Sequence, residues 1–423
     1  ALAFAGFDAA IVAAGQPGEY FLDDHTTPFR PNPHFAQWVP EDDVVGSALL
    51  IRPGEQPRLY FYQPADYWHQ PPQPPDWAGA HLDLEVCDDP ARLHEALASA
   101  AAQQNRTAFI GELEPGNLPV SSVNPALLLS HLHFHRAYKS AFEVHCMQAA
   151  TALAVAGHRA AGDAFRTGGS EFEIHMAYLA ASRQTSDALP YGNIVALNEH
   201  GSVLHYQHYD REPPDQSRSF LIDAGGRYRG YAADITRTYA AEGAEHERFA
   251  ALVAAMDQAQ QSMIRDIRTG MDYLELHEDA HRRIAVILSD HGLLRCSAEA
   301  AFDTGITATF LPHGLGHLIG LQTHDVGGLQ MSPEGGHRAP PERYPALRLT
   351  RTIEEGQVFT IEPGLYFIPQ LLDELEGGDQ SQLVCWESVD ALRGYGGIRI
   401  EDNILVTDNG TENLTRDAFA RHE

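Results

Sequence analysis

The sequence predicts an α+β chain of two domains: a smaller α/β domain over residues 1–137 and a larger one over 138–423, where helices pack on antiparallel strands. Three observations carry this. Up to residue 137, short apolar runs and turn signals alternate around one helical stretch. From about residue 140 the texture changes to long amphipathic helices that open on capping boxes. The strand-like runs of the second part then fall in two groups, 219–222 with 235–239 and Val358–Ile361 with 398–406, separated by helices.

Taken in order, the first domain offers strands at Ala9–Ala13, Ala48–Ile51, 59–62, 84–86 and 107–111, with a helix over 91–104 after the turn at Asp89-Pro90. Prolines cluster over 70–75, in a loop that also carries Tyr67, Trp68, His69 and Trp77, and aromatic-rich loops are where binding residues gather. In the second domain Ser140 with Glu143, and Ser170 with Glu173, have the spacing in which a side chain at each end of the first turn satisfies the other's backbone N–H. The first of these helices reaches Arg166 and is stopped by Gly168-Gly169. Phe249, Leu252, Val253, Met256, Gln260, Met263, Ile264 and Ile267 recur at helical spacing, only Gln260 being off type, and Gly270 breaks the run. A fourth helix runs from Tyr273 to His291 and ends at Gly292.

Composition narrows the function. The 423 residues carry 29 Lys and Arg against 58 Asp and Glu, a formal charge of −29. That repels phosphate backbones, and no long basic run offsets it, so nucleic acid is excluded as a partner. No stretch approaches the ~20 apolar residues of a membrane helix. The cysteines Cys87, Cys146, Cys296 and Cys385 lie far apart without a CxxC pair, which points to a reducing, cytoplasmic setting and away from a disulfide framework. Ala1-Leu2-Ala3 is neither an initiator methionine nor a charged signal-peptide start, so the native N-terminus is expected to be trimmed or to lie upstream. The two Asn-X-Thr sequons read as chance. His131, His133 and His135 alternate as in a metal tract, but beside Tyr138 at the domain junction they read as structural.

Four segments carry chemistry. Leu221-Ile222-Asp223-Ala224-Gly225-Gly226 leads through a turn to Gly230-Tyr231-Ala232-Ala233-Asp234; with the hairpin centred between Tyr228 and Arg229, Asp223 and Asp234 face each other directly. Two such anions ionise together cheaply only with a cation between them, although the pair alone fits a solvated hairpin tip equally well. His313-Gly314-Leu315-Gly316-His317, continuing to His324-Asp325, flanks imidazoles with glycines that let backbone approach closely. Glu362 and Glu401 each end an apolar strand, where an unpaired charge is costly. Two Asp, one His and two Glu form a set suited to two hard divalent cations, Mn²⁺ ahead of metals that prefer thiolate or imidazole.

The order Asp223, Asp234, His317, Glu362, Glu401 resembles the metal-ligand set of the pita-bread metallopeptidases, the family of methionine aminopeptidase, aminopeptidase P and prolidase. The segments 191–200, 204–206, 313–325, 21–25 and 66–69 resemble the bacterial prolidases in particular, so the likeness runs through nearly the whole chain. It implies a C-terminal pita-bread (creatinase/aminopeptidase) catalytic domain behind a smaller α/β domain, and a cytoplasmic Xaa-Pro dipeptidase acting on small peptides through water activated by two divalent cations. Mn²⁺ comes first among these, with Co²⁺ or Zn²⁺ as substitutes. By the same resemblance Asp223 chelates one cation, His317 and Glu362 hold the other, and Asp234 and Glu401 bridge both. Glu362 shuttles the proton, and His324 and His313 contact the scissile carbonyl and the tetrahedral intermediate. His205, Arg348 and Arg399 grip the substrate, Arg348 being favoured for its carboxylate, with Tyr191 near the same pocket. A homodimer is implied, with Trp68 and Asp23/Asp24 as candidates to cover the partner's site, as is a phosphotriester side activity. The rival readings are an aminopeptidase P acting on longer peptides and a metal-free peptide binder on the same fold.

Overall fold

The computed structural model describes residues 1–421. The chain divides into two compact units, one of residues 1–135 with 332–336, the other of 136–331 with the residues from His337 onward.

In the first unit six strands form one mixed sheet, in the spatial order Asp83–Cys87, Arg58–Tyr62, Ala48–Ile51, Ala9–Ala13, Thr107–Ile110, Ser122–Val123. The central strand Ala9–Ala13 runs antiparallel to Ala48–Ile51 and parallel to Thr107–Ile110. It is apolar throughout because both its faces are covered. Ala10 and Val12 join a core with Phe35, Val44 and Leu59, while Ala9 and Ile11 pack with Leu93 and Leu97 of the helix Pro90–Ala102. Asp89 caps that helix, accepting from the Ala91 and Arg92 amides at 2.7 and 3.1 Å. The alternating histidines do not converge. His131 and His135, four apart, share one side of the helix Ala126–Arg136, whereas His133 meets His34 with Nε2 atoms 3.2 Å apart.

In the second unit both expected capping boxes form, opening helices Ala141–Arg166 and Glu171–Ser182. The helix Glu247–Asp266 buries Phe249, Leu252, Met256, Met263 and Ile264. Its off-type Gln260 is wholly buried, and it is satisfied there: its amide donates to the Ile361 carbonyl at 3.3 Å and its oxygen accepts from Arg416. Helix Tyr273–Asp290 ends at His291, with Gly292 at φ 68°. Among the described residues no helix is long and apolar enough to cross a membrane, and all four cysteines are free.

Two sequence expectations about strands are corrected. Arg229 and Gly230 both have positive φ, 49° and 84°, so the hairpin turns between them, as a type I′ turn requires, and not between Tyr228 and Arg229. The strand Ser219–Asp223 consequently pairs with Thr236–Ala240 so that Asp223 faces Thr236 and not Asp234. The run 398–406 is not one strand. Gly397–Arg399 pairs with Gly364–Tyr366, and Asp402–Thr407 pairs with Val358–Ile361. Both ladders hold one register across the break, and that puts Glu362 opposite Glu401. Thr236 in turn bridges to Glu401. Asp223, Thr236, Glu401 and Glu362 therefore form a row across four neighbouring strands, and because facing residues share a sheet face, the row presents its side chains on one side. Asp234, two residues before Thr236, lies on that face as well.

Candidate active site

The row opens into a cavity of about 280 Å³ lined by Asp223, Asp234, His317, Glu362 and Glu401 together with His205, His313, His324, Arg348 and Arg399. It lies near the lower end of the roughly 300–1,000 Å³ usual for ligand pockets, which suits a small ligand. Of the ligand, catalytic and substrate-binding residues singled out from sequence, Tyr191 alone does not line the cavity. It lies against the cluster, with its hydroxyl 2.7 Å from Asp223 Oδ1 and also bonded to Asp234 Oδ1.

Glycines bring the histidine segment in. A Cβ at Gly316 would collide with the Thr360 carbonyl, so only glycine lets this segment lie against the 358–361 strand and deliver His317. His317 donates Nδ1–H to the Leu318 carbonyl at 3.0 Å, which turns Nε2 inward, 3.5 Å from Asp234 Oδ2 and 3.6 Å from Glu362 Oε1. Thr236 donates its hydroxyl to Glu401 at 2.7 Å, and Thr360 to Glu362 at 3.3 Å. Asp234 is anchored through its backbone, where its N–H donates to Asn403 Oδ1 at 3.0 Å and its carbonyl accepts from the same amide side chain. Asp402, fully buried, is pinned by Arg237 at 2.7 Å and Arg416 at 2.8 Å and fixes the strand that starts beside Glu401.

The electrostatics ask for a cation. Burial lifts Asp223 to about 6 and Glu362 to about 7, with Asp234 adding to both, and burial plus the charges of Asp234, Glu362 and Asp223 pushes Glu401 well above the usual range. Burial also opposes ionisation of Asp234, but the hydrogen bond and charge of His317 outweigh it and hold Asp234 low. His317 is correspondingly raised, its burial outweighed by Asp234 and Glu362. Asp234, His317 and Glu401 can each offer one atom such that all three lie within 4.8 Å. Four carboxylates and one imidazole with its Nε2 turned inward fit hard divalent cations, which would take the place of the His317 proton. A second acid and histidine group, Glu171 with His200 and Asp210, has another explanation: the buried Glu171 carboxylate already accepts from Leu197 N, His200 Nδ1, Tyr206 OH and Asp210 N.

The remaining residues differ in what they leave free. Arg399 gives Nη2 to Asp223 at 2.7 Å, Nη1 to Tyr366 at 2.8 Å and Nε to Thr236 at 3.2 Å. Since Tyr366 accepts from Arg399, its own proton goes to His313 Nε2 at 2.8 Å, while His313 Nδ1–H donates to Gly314 at 2.8 Å. Both nitrogens of His313 are thus engaged, and burial holds it neutral, down to about 3. His205, His324 and Arg348 are solvent-accessible in the cavity, and none has a hydrogen-bonded or ion-pair partner for its side chain among the described residues. Burial and nearby cations, Arg348 among them, lower both imidazoles, His324 to about 4. Sequence reasoning missed Tyr366, Thr236, Thr360 and Asn403. Each lies within four residues of a ligand candidate, but ordinary residue types give no signal until the strands are in register.

A sheet whose strands break at facing glutamates, with two aspartates and one inward histidine, defines a metal-dependent hydrolase site. Residues 145–408 match the model of metallopeptidase family M24, and residues 1–134 match that of the Xaa-Pro dipeptidase N-terminal domain. The chain is 48% identical to the Xaa-Pro dipeptidase of Stenotrophomonas maltophilia, over 99% of this chain and 94% of that protein. It is 46% identical to the Xaa-Pro dipeptidase of Pseudoalteromonas haloplanktis, over 97% and 93%. Among solved structures, Escherichia coli aminopeptidase P with the inhibitor Pro-Leu superposes with a TM-score of 0.72 at 23% identity, covering 97% of this chain and 91% of that one, and so shares the pita-bread fold. The chain belongs to metallopeptidase family M24.

Proposed function

We propose that the chain is a Xaa-Pro dipeptidase, hydrolysing dipeptides with C-terminal proline. The observation that carries this is the lining of the cavity: beside the acidic cluster stands Arg348, with no hydrogen-bonded or ion-pair partner for its side chain among the described residues, accompanied by His205 and His324. A dipeptide supplies a carboxylate one residue from its scissile bond, and Arg348 offers a planar fork to meet it. The naming of the 46–48% identical relatives supports the same substrate class.

Two divalent cations, Mn²⁺ first, would be held by Asp223, Asp234, His317, Glu362 and Glu401, and would supply Lewis-acid polarisation and an activated water. Tyr191 and Arg399 hold the Asp223 carboxylate in place. Glu362 takes the water's proton and returns it to the proline nitrogen. His324 presents an uncommitted N–H to the carbonyl oxygen as charge develops there. His313, fixed by Gly314 and Tyr366, shapes the wall beside Glu362, its Nδ1 being 3.8 Å from Glu362 Oε2. Proline's tertiary amide lacks an N–H, and nothing in this scheme needs one. The same water can attack phosphorus, so a phosphotriester side activity is included.

A homodimer in the cytoplasm is part of the proposal. Phe21 and Leu22 are 92% and 91% exposed, and Tyr67 and Trp68 are 86% and 76% exposed, a cost that an interface would remove. The deciding experiment is hydrolysis of Ala-Pro against Ala-Pro-Ala by chelator-stripped protein given Mn²⁺. Preference for the dipeptide is expected. Equal rates would favour aminopeptidase P, and metal-independent activity would refute the site.

A further inference from the structure

His324 offers its imidazole to the cavity with no hydrogen-bonded or ion-pair partner for it among the described residues; its ring stands edge-on to His317, centroids 4.4 Å apart, and its reach into the cavity is set by what holds the backbone on either side of it. One residue on is Asp325, with a side chain only 1% exposed. Its Oδ1 accepts from Arg136 Nη2 at 2.5 Å and from Val326 N at 2.9 Å, and its Oδ2 from Lys139 Nζ at 3.1 Å. The Arg136 and Lys139 side chains are 3% and 1% exposed. Two residues before His324, Gln322 accepts from the same Arg136 nitrogen at 3.1 Å. Lys139 Nζ also donates to the Arg136 carbonyl, closing the cluster on itself. The Asp325 amide donates to Leu318 at 2.8 Å, and a Cβ at Gly320 would lie 2.5 Å from Asp325 Oδ2 and 2.8 Å from Lys139 Cε.

Three charges have thus been buried where apolar side chains of similar volume would serve stability at least as well. What the ions add is direction: one guanidinium grips the chain at both Gln322 and Asp325, and His324 sits between those two grips. We infer that the Arg136–Asp325–Lys139 cluster is a positioning device for His324, setting the distance and angle at which its N–H meets the reacting carbonyl. The inference rests on the reading of His324 given above. It assigns no contact with substrate to Asp325, Arg136 or Lys139.

The test is a double-mutant cycle on the Mn²⁺-loaded full chain with Ala-Pro. H324A alone examines the underlying reading, and unchanged kcat there would remove it. D325N keeps the side-chain size but leaves two buried cations without their anion. A displacement of about 1 Å at a catalytic group costs up to about a hundredfold, so D325N should lower kcat roughly ten- to a hundredfold with KM and metal content unchanged. In the H324A background D325N should change kcat less than threefold, because a residue acting through His324 has nothing left to position. If kcat is lost in H324A but D325N is silent, or if D325N costs the same factor with and without His324, the inference fails. Should D325N not fold, R136K decides: it keeps the charge, but its ammonium ends on a shorter stem than the Nη2 that bonds both Gln322 and Asp325 and lacks the fixed plane of the guanidinium. A several-fold loss that vanishes in H324A supports the inference, and an equal loss in both backgrounds, or none, overturns it.

Discussion

Replacing Arg348 by alanine tests the arginine that the sequence already favoured over Arg399 as the carboxylate contact. In the free protein Arg348 is solvent-accessible and has no side-chain partner among the described residues, so its removal strands no buried charge and should not disturb folding. In the complex it would pair with the proline carboxylate in a small, partly desolvated cavity. Truncating one partner of a buried charge pair costs roughly 2–5 kcal/mol. Because Arg348 keeps access to solvent, the lower part of that range applies, about 2–3 kcal/mol, which at about 1.4 kcal/mol per decade is roughly thirty- to a hundredfold in kcat/KM. The loss should be confined to substrates with a free carboxylate there. Steady-state kinetics of wild type and R348A on Ala-Pro, Ala-Pro-amide and Ala-Pro-Ala therefore gives a pattern: wild type prefers the dipeptide strongly, and R348A cleaves the three within a few-fold of one another. R399A should behave differently, lowering activity on every substrate and metal content as well, since Arg399 Nη2 holds Asp223 at 2.7 Å. An equal loss on acid and amide in R348A would refute the carboxylate assignment.

Three further outcomes are expected. D234N and E401Q should each abolish activity and bring elemental analysis below two metals per chain, and full occupancy with full activity in either would sink the ligand assignment. In the metal-free chain the ligand cluster should withdraw stability as pH rises, against the buried neutral histidines, His313 and His324 among them, which add it. Asp223 and Glu362 stand at about 6 and 7 against ordinary values of 3.8 and 4.5, so the folded state binds their protons more tightly than the unfolded one and the penalty grows from about pH 4 to 7. His317, raised above 6.5, loses its stabilising proton in the same direction above that pH. Metal binding displaces those protons, so the rise in Tm on adding Mn²⁺ should be larger at pH 8 than at pH 5; a rise that does not grow over this window contradicts the site electrostatics. Replacing Phe21 and Trp68 together by serine should shift sedimentation from dimer toward monomer, and a wild type that sediments as a monomer would remove the dimer.

What the sequence determined by itself was whatever depends on neighbours along the chain. The capping boxes at Ser140 and Ser170, the breaks at Gly168 and Gly270, and the apolar stripe of the 247–266 helix are set by spacing within a turn or two, and they are found where the spacing put them. The residue types that converge on the cavity were legible too, because carboxylates ending apolar strands and glycine-flanked histidines are costly unless something uses them. Register was not legible. A turn one residue later, fixed by positive φ at Arg229 and Gly230, moved Asp223 from opposite Asp234 to opposite Thr236, and a strand read as continuous proved to break where Glu362 meets Glu401. Nor could spacing say which polar groups are already engaged. Its place two residues from Glu401 already disfavoured Arg399 as the substrate's contact, but only the packed strands commit Arg399 to Asp223 and His313 to Tyr366, and leave Arg348 and His324 without such bonds among the described residues. Hydrogen bonds between residues far apart in sequence exist only once the strands lie side by side, which is why the tertiary structure alone decided them.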